Sequence, residues 1–219
     1  MTSHLRHFIA QPYIHPPLLL PSQDNRKFHI RTYVLCVGAL TVYVYKPMLA
    51  LFAASPYVPP WKDSSDLQSH LTNTCIQGTS VREGSVRGFW DLPDDVDIKS
   101  HNGKASENWK EAVFSQICAI TGETFEAAAR AMSIHFQPLP NAFEVFGLDF
   151  LVDANGTAWL LEVNAFPDFK QTGNELSEVV AGLWEDVVEV AVKPFFGLGG
   201  EMEGTERMKM VRRVDLGRR

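Results

Sequence analysis

Polar and apolar residues alternate along the first half of residues 27–36. A period of two places successive side chains on opposite faces, so this segment predicts a β-strand. One face of that strand carries three polar residues: Lys27, His29 and Arg31. A second apolar segment at 40–45 follows a turn at 38–39, which predicts a hairpin, and residues 8–11 predict a short partner strand.

Apolar residues recur at helical spacing in three later segments. Residues 106–120 and 123–133 predict two helices, and residues 172–193 predict a third that opens with a capping box. Residues 56–105 contain prolines, glycines and scattered acids, so we expect a long variable loop there. Residues 197–219 are rich in glycine and charge and predict a flexible charged tail.

The strongest pattern in the chain is a second predicted hairpin within residues 143–163. Its two strands flank an Asn-Gly pair at 155–156, which favours a two-residue type I′ turn. With that turn, Asp149 lies opposite Glu162, their Cβ atoms are roughly 4.5–5.5 Å apart, and Asn164 projects from the same face. A three-residue loop would turn the second strand over and separate these residues.

Two facing carboxylates destabilise a strand pair unless their charge is neutralised. A shared proton, an arginine or a divalent cation would each neutralise it. Oxygen ligands favour Mg²⁺ or Mn²⁺, and Mg²⁺ is commonly held by one or two carboxylates together with substrate phosphates. The alternative is one exposed acid and one acid in a structural ion pair, and the spacing alone leaves both open.

The polar face of the first strand suits a phosphate chain. Lys27 and Arg31 are four residues apart, which is about 13 Å along a strand and matches two points of a triphosphate. Lysine provides a point charge and arginine a planar fork for phosphate oxygens. The alternative is an ordinary solvated strand face.

The composition narrows the class of protein. The 219 residues carry a net charge of −6 and show no extended basic surface, so nucleic-acid binding is not expected. No apolar run reaches the roughly 20 residues that cross a bilayer, so no membrane span is expected. Three widely spaced cysteines, at 36, 75 and 118, predict reduced thiols and a cytoplasmic protein.

Five short segments, in order along the chain, together resemble the tubulin–tyrosine ligase family. They are QPYI at 11–14, RKFHIR at 26–31, HLTN at 70–73, GLD at 147–149 and EVNAFP at 162–167. The resemblance covers about residues 8–190 and implies an α+β protein, the C-terminal portion of an ATP-grasp fold, with an antiparallel sheet packed with helices. It places a partial ATP-grasp domain at 1–196, and the N-terminal lobe of that fold is expected to be missing.

The resemblance also implies roles for individual residues. The hinge that meets adenine would be Gln11, Tyr13 and Ile14, and the phosphates would contact Lys27 and Arg31. The terminal phosphate and the acceptor peptide would lie beside His70, Thr72 and Asn73, and Arg31 and Asn73 would be the catalytic residues. The metal ligands would be Asp149, Glu162 and Asn164. Pro12 and His29 depart from the family, which usually has lysine and aspartate there.

The implied reaction is ATP-dependent ligation of an amine to a carboxylate through an acyl phosphate. The cofactors would be ATP and Mg²⁺, with Mn²⁺ possible, and the substrates would be a free amino acid and a protein tail, that of tubulin. The chain alone is expected to be weakly active because of its missing lobe. Two alternatives stay open: a ligase with another acceptor, such as a polyglutamylase, and a non-catalytic binding or scaffolding module.

Overall fold

The computed structural model describes residues 10–63, 65–72, 85–94, 96, 98, 108–167, 169, 177–198 and 204–217. Seven strands form one antiparallel sheet. In chain order they are β1 (Arg26–Val37), β2 (Thr41–Tyr45), β3 (Leu49–Pro56), β4 (Val86–Gly88), β5 (Phe143–Val152), β6 (Ala158–Asn164) and β7 (Met208–Arg213). The helices are α1 (Trp109–Ala131), α2 (Ser177–Val187), a π-helical turn (Val188–Val192) and α3 (Lys193–Phe195).

Strand β1 organises the sheet because both of its edges are paired. One edge pairs with β5, and the other pairs first with β3 and then with β2. The predicted hairpin of residues 27–36 and 40–45 is thereby confirmed. The predicted partner strand at 8–11 is wrong for Ala10 and Gln11, which lie outside any strand, and residues 8–9 are outside the described residues.

Helices cover both faces of the sheet. On one face, α1 buries Trp109, Val113 and Ile117 against alternate side chains of β1 and β5 such as Ile30 and Phe150. On the other face, α2 and the π-helical turn bury a second apolar cluster. Alternation along β1 therefore supplies two apolar surfaces, one for each helical layer.

One continuous helix, α1, replaces the two helices that the sequence predicts. It begins at Asn108, whose side chain accepts a hydrogen bond from the Glu111 N–H at 3.2 Å; the predicted cap, Ser106, is outside the described residues. Gly122 lies inside the helix rather than ending it. A Cβ at this position would approach the carbonyl oxygen of Val211 to 3.3 Å, so glycine lets β7 pack closely against α1.

The flexible tail predicted at 197–219 is wrong for Met208–Arg213, which form β7 and pair with β2. Apolar and charged residues alternate only at its start, in Met208, Lys209 and Met210, and Met208 is fully buried. This alternation is too short to predict a strand among the surrounding glycine and charged residues.

The long loop predicted at 56–105 also contains short elements. They are two 3₁₀ turns, Leu67–Ser69 and Phe89–Asp91, and the strand β4. The Phe89 side chain is fully buried against Trp109, which anchors this segment to α1. None of the helices in the described ranges is long and apolar enough to cross a membrane.

Candidate functional site

The β5–β6 hairpin forms the predicted pair of Asp149 with Glu162, but its turn is not the predicted one. The Asp153 N–H donates to the Thr157 carbonyl at 3.0 Å, and the Gly156 N–H donates to the Asp153 carbonyl at 2.9 Å. The loop therefore holds three residues, and Gly156 has a φ of 79°, which glycine adopts without strain. The two-residue turn that the sequence predicts is wrong.

A β-bulge then restores the register. Three pairs next to the turn follow the register of a three-residue loop: Val152 with Ala158, Leu151 with Trp159, and Phe150 with Leu160. The register shifts between Phe150 and Asp149, so that Asp149 pairs with Glu162. An extra residue in one strand turns the following side chains to the other face. The bulge thus compensates for the longer loop.

Asp153, which the sequence analysis did not single out, holds this turn together. Its Oδ1 accepts hydrogen bonds from the N–H groups of Asn155 at 2.8 Å and Thr157 at 3.0 Å. Its Oδ2 accepts one from the indole N–H of Trp159 at 3.0 Å. An aspartate two residues before Asn-Gly is a pattern from which an Asx turn could have been predicted.

A buried ion pair lies at the centre of the candidate site. Arg31 on β1 pairs with Asp149 on β5, and its Nε and Nη2 donate to Oδ1 at 2.5 Å and to Oδ2 at 3.0 Å. Burial alone would lower the pKa of Arg31, but the hydrogen bonds and charge of Asp149 raise it. An arginine is one of the three neutralising partners that the sequence left open for Asp149.

His29 lies beside this pair with only 6% of its surface exposed. Its Nδ1 is 2.6 Å from the Thr72 hydroxyl, and its Nε2 is 3.6 Å from Asp149 Oδ1. Burial, assisted by the positive charges of Arg31 and Lys27, lowers the pKa of His29 to about 3, although Glu162 opposes the shift. The imidazole is therefore neutral at physiological pH.

Lys27 connects the sheet to the predicted hinge and, through Tyr13, to His70. Its Nζ donates to the Tyr13 hydroxyl at 3.3 Å and lies 4.6 Å from the centre of the Tyr13 ring. The same hydroxyl is 2.9 Å from His70 Nδ1. Burial lowers the pKa of Lys27, so its ammonium group is incompletely solvated and would gain from an anionic ligand.

Glu162 and Asn164 complete the polar face at the edge of the hairpin. The Asn164 amide donates to Glu162 Oε1 at 3.1 Å, and the Glu162 side chain is exposed. Arg31 pairs with Asp149, and Asp149 pairs with Glu162, so the three side chains lie on the same face of the sheet. The charge of Glu162 accordingly raises the pKa values of both His29 and Arg31.

The remaining predicted residues are less closely connected to this cluster. Gln11 is exposed and Ile14 is half-buried, on the segment that leads to the bridge between Pro17 and Asp153. Asn73 is outside the described residues. The structure thus brings together eight of the predicted residues in two groups: Tyr13, Lys27 and His70 in one, and Arg31, Thr72, Asp149, Glu162 and Asn164 in the other, where His29 lies between Thr72 and Asp149.

The donor chemistry of the predicted metal ligands fits a hard divalent cation. Asp149, Glu162 and the amide oxygen of Asn164 offer oxygen atoms only. Arg31 uses one lone pair on each Asp149 oxygen, and each oxygen has a second to offer. Within the described ranges, no three His, Cys, Asp or Glu side chains are close enough to hold an ion as they stand. Glu162 would therefore have to turn toward Asp149.

Comparison with known proteins identifies the family. The sequence pattern described as "Tubulin-tyrosine ligase family" matches residues 2–197. The chain belongs to the tubulin–tyrosine ligase family. This membership confirms the resemblance that the five sequence segments predicted.

Curated relatives of this family member carry ligase names. The chain is 45% identical to a "probable tubulin–tyrosine ligase" of Schizosaccharomyces pombe, covering 98% of this chain and 49% of the relative. It is 50% identical to the "probable tubulin–tyrosine ligase PBY1" of Saccharomyces cerevisiae, covering 89% of this chain and 25% of the relative. The chain thus spans half or less of the length of these relatives.

A solved structure confirms the fold class. The C-terminal domain of Kluyveromyces lactis Pby1 superimposes with a TM-score of 0.72 at 39% identity, covering 93% of this chain and 52% of that one. That protein is described as an ATP-grasp enzyme that interacts with the mRNA decapping enzyme Dcp2. The predicted α+β architecture, an antiparallel sheet packed with helices from the C-terminal portion of an ATP-grasp fold, is correct.

Proposed function

We propose that this chain provides phosphate-binding and metal-binding groups of an ATP-dependent ligase that joins an amine to a carboxylate. The observation that carries the proposal is the line of charged groups along one sheet face, from Lys27 through Arg31 and Asp149 to Glu162. Cationic groups at one end suit phosphate, and carboxylates at the other end suit a divalent cation. The family supports the reaction class.

The proposed reaction proceeds in two steps. A carboxylate oxygen of the acceptor attacks the γ-phosphorus of ATP and ADP leaves, which gives an acyl phosphate. The amine of an amino acid then attacks the acyl carbon and loses a proton, forming the C–N bond, while the C–O bond to the bridging oxygen breaks and inorganic phosphate leaves with that oxygen of the former carboxylate. The names of curated relatives support a tubulin tail as acceptor in tyrosine ligation or polyglutamylation, and we propose a cytoplasmic setting.

Arg31 would act by exchanging partners. Its fork now neutralises Asp149, and the γ-phosphate of ATP offers an equivalent pair of oxygens. If Arg31 turns to that phosphate, the oxygens of Asp149 become available to a cation. Lys27, held between Tyr13 and the sheet, would contact the phosphate chain farther along, and the Thr72 hydroxyl would lie near its end.

Asp149, Glu162 and Asn164 would hold Mg²⁺. When bound, the ion would neutralise charge on the phosphate oxygens. The contribution of the protein is to hold the reacting groups in line and to supply fixed positive charge, which accounts for most of the catalysis in phosphoryl transfer. No covalent nucleophile is needed for this chemistry.

The test is a calorimetric titration of Mg·ATP into the wild-type chain and into Asp149→Asn. We expect the substitution to weaken binding at least about tenfold, because it removes the charge that faces the cation. Glu144→Gln is the matched control, since Glu144 lies on the same strand but is exposed at its far end. Equal affinities of wild type and Asp149→Asn would reject the metal role of Asp149.

A second candidate function is a protein-binding module without turnover. Two observations favour it: Asp149 is already neutralised by Arg31, and the K. lactis relative is described as interacting with a decapping enzyme. The same titration separates the two functions. Absence of any heat with Mg·ATP, together with retained binding of a protein partner, would support the binding module over the ligase.

A further inference from the structure

His29 contains a buried nitrogen that the proposed reaction does not use. In the described part of the chain, its Nε2 atom has no hydrogen-bond partner, and the side chain is more than nine-tenths buried. An unpaired polar atom in such a position costs stability, so its position calls for an explanation. The atom faces the carboxylate of Asp149.

The other ring nitrogen fixes the orientation of the imidazole. Nδ1 lies 2.6 Å from the hydroxyl of Thr72, which is a short hydrogen-bond distance. If Nδ1 carries the proton and donates it to that hydroxyl, Nε2 presents a lone pair to its surroundings. A second nitrogen held by a hydrogen bond is the usual arrangement of a metal-binding histidine.

The distance between Nε2 and Asp149 Oδ1 is close to that between two ligands of one ion. At 3.6 Å the two atoms are too far apart for a good hydrogen bond. Two atoms that each bind a cation at about 2.1 Å are about 3.0 Å apart at an octahedral angle and about 3.4 Å apart at a tetrahedral angle, so a small approach of Nε2 to Oδ1 would let both atoms bind one ion. Glu162 is exposed on the same side of the sheet and can rotate toward this pair.

We propose that His29 binds the divalent cation of this site through Nε2, beside Asp149 and Glu162, and that the site therefore prefers Mn²⁺ to Mg²⁺. Oxygen ligands bind both Mg²⁺ and Mn²⁺, whereas an imidazole nitrogen binds transition-metal ions in preference to Mg²⁺. The inference rests on the proposed function because it adds a ligand to the same metal site.

The direct test is electron spin echo envelope modulation of Mn²⁺ bound to the full chain. Inorganic tripolyphosphate replaces ATP as the phosphate probe because it contains no nitrogen, and any polyhistidine tag is removed. We expect modulation from a directly bound ¹⁴N nucleus in the wild type. Labelling histidine with ¹⁵N should replace that pattern with one from ¹⁵N.

Two substitutions separate metal binding from packing. His29→Asn keeps a polar atom near Thr72 but removes the Nε2 position, so the ¹⁴N modulation should disappear and Mn²⁺ should bind about 10–100-fold more weakly. His29→Gln can place an amide oxygen near the Nε2 position, so it should lose the modulation but recover part of the affinity. His135→Gln, which replaces an exposed histidine, should behave as wild type.

The ion preference gives a second measurement. The ratio of Mg²⁺ to Mn²⁺ dissociation constants should fall about tenfold or more in His29→Gln, because an oxygen replaces the nitrogen. Circular dichroism of each variant shows whether it is folded. An Mn²⁺ signal without ¹⁴N modulation in the wild type would overturn the inference while leaving the oxygen-only metal site intact. Absence of Mn²⁺ binding, together with absence of Mg·ATP binding, would overturn both.

Discussion

One face of the sheet has a polar half and an apolar half. Paired charges and hydrogen bonds occupy the polar half, whereas helices cover the apolar half. Along β1, the residues of this face are first polar, with Lys27, His29 and Arg31, and then apolar, with Tyr33 and Leu35. The alternation continues unchanged through both halves. The secondary structure is therefore the same in both, and only the side chains decide which half binds a helix.

The apolar half is covered by α2 and the π-helical turn. Leu183 and Val187 are buried there against Leu35, and the Tyr45 hydroxyl donates to the Val179 carbonyl at 3.1 Å. The polar half instead contacts the segments that carry Tyr13, His70 and Thr72, by hydrogen bonds. Apolar burial thus stabilises one half, and paired charges with directional bonds stabilise the other.

The largest expected effect comes from breaking the charge pair of the polar half. Arg31→Met removes the charge that neutralises the Asp149 carboxylate through two hydrogen bonds, so we expect a loss of about 3–5 kcal/mol in the free energy of unfolding. Urea denaturation of wild type and Arg31→Met at neutral pH measures this change in the free energy of unfolding.

A double substitution tests whether the loss comes from the unpaired charge. Arg31→Met combined with Asp149→Leu removes both charges of the pair, so neither is left buried without its partner and most of the stability should return. If the double variant is less stable than Arg31→Met, packing rather than the unpaired carboxylate explains the loss.

The next effect belongs to the apolar half. Leu183 is fully buried, and Leu183→Ala leaves a cavity between α2 and the sheet, which should cost about 3 kcal/mol. The affinity for Mg·ATP should stay unchanged, because Leu183 contacts the other half of the face. Urea denaturation and calorimetry measure the two quantities. A parallel loss of affinity would show that the two halves are energetically coupled.

Much of this arrangement could be predicted from local pattern. The alternation at 27–36 predicted β1 and its polar face, and the helical stripe within 172–193 predicted the cover of the apolar half. Both depend on the period of hydrophobic residues, which is a property of the segment itself. The ends of these elements and the partners of each strand edge depend on distant residues, so β3 and β7 were missed.

The hairpin shows why a correct pairing can rest on a wrong turn. The sequence predicted Asp149 opposite Glu162 from a two-residue turn, whereas the structure reaches that pair through a three-residue loop and a bulge. The bulge, whose extra residue is Leu161, has no strong local pattern. The ion pair of Arg31 with Asp149 was likewise unpredictable, because it joins residues 118 positions apart.

The turn itself provides the third prediction. Asp153→Ala removes acceptors for three hydrogen bonds, including the indole N–H of Trp159, so we expect a loss of about 1–3 kcal/mol. Hydrogen exchange at the Asn155 and Thr157 amides should become faster. Asp153→Asn retains one carbonyl oxygen and should lose less. Unchanged exchange in Asp153→Ala would show that Gly156 and the backbone alone fix this turn.

The smallest expected effect concerns the contact between the 70–72 segment and the sheet. Thr72→Val keeps the shape of the side chain but leaves His29 Nδ1 without its hydroxyl partner, so we expect a loss of about 1 kcal/mol. Thr72→Ser should retain the wild-type stability, because it keeps the hydroxyl. The ¹⁵N chemical shifts of the His29 ring report which nitrogen carries the proton, and Thr72→Val should disturb that preference. If the chemical shifts and the stability stay the same, burial alone orients the His29 ring. The hydrogen bond to Thr72 would then contribute nothing to the stability of the polar half.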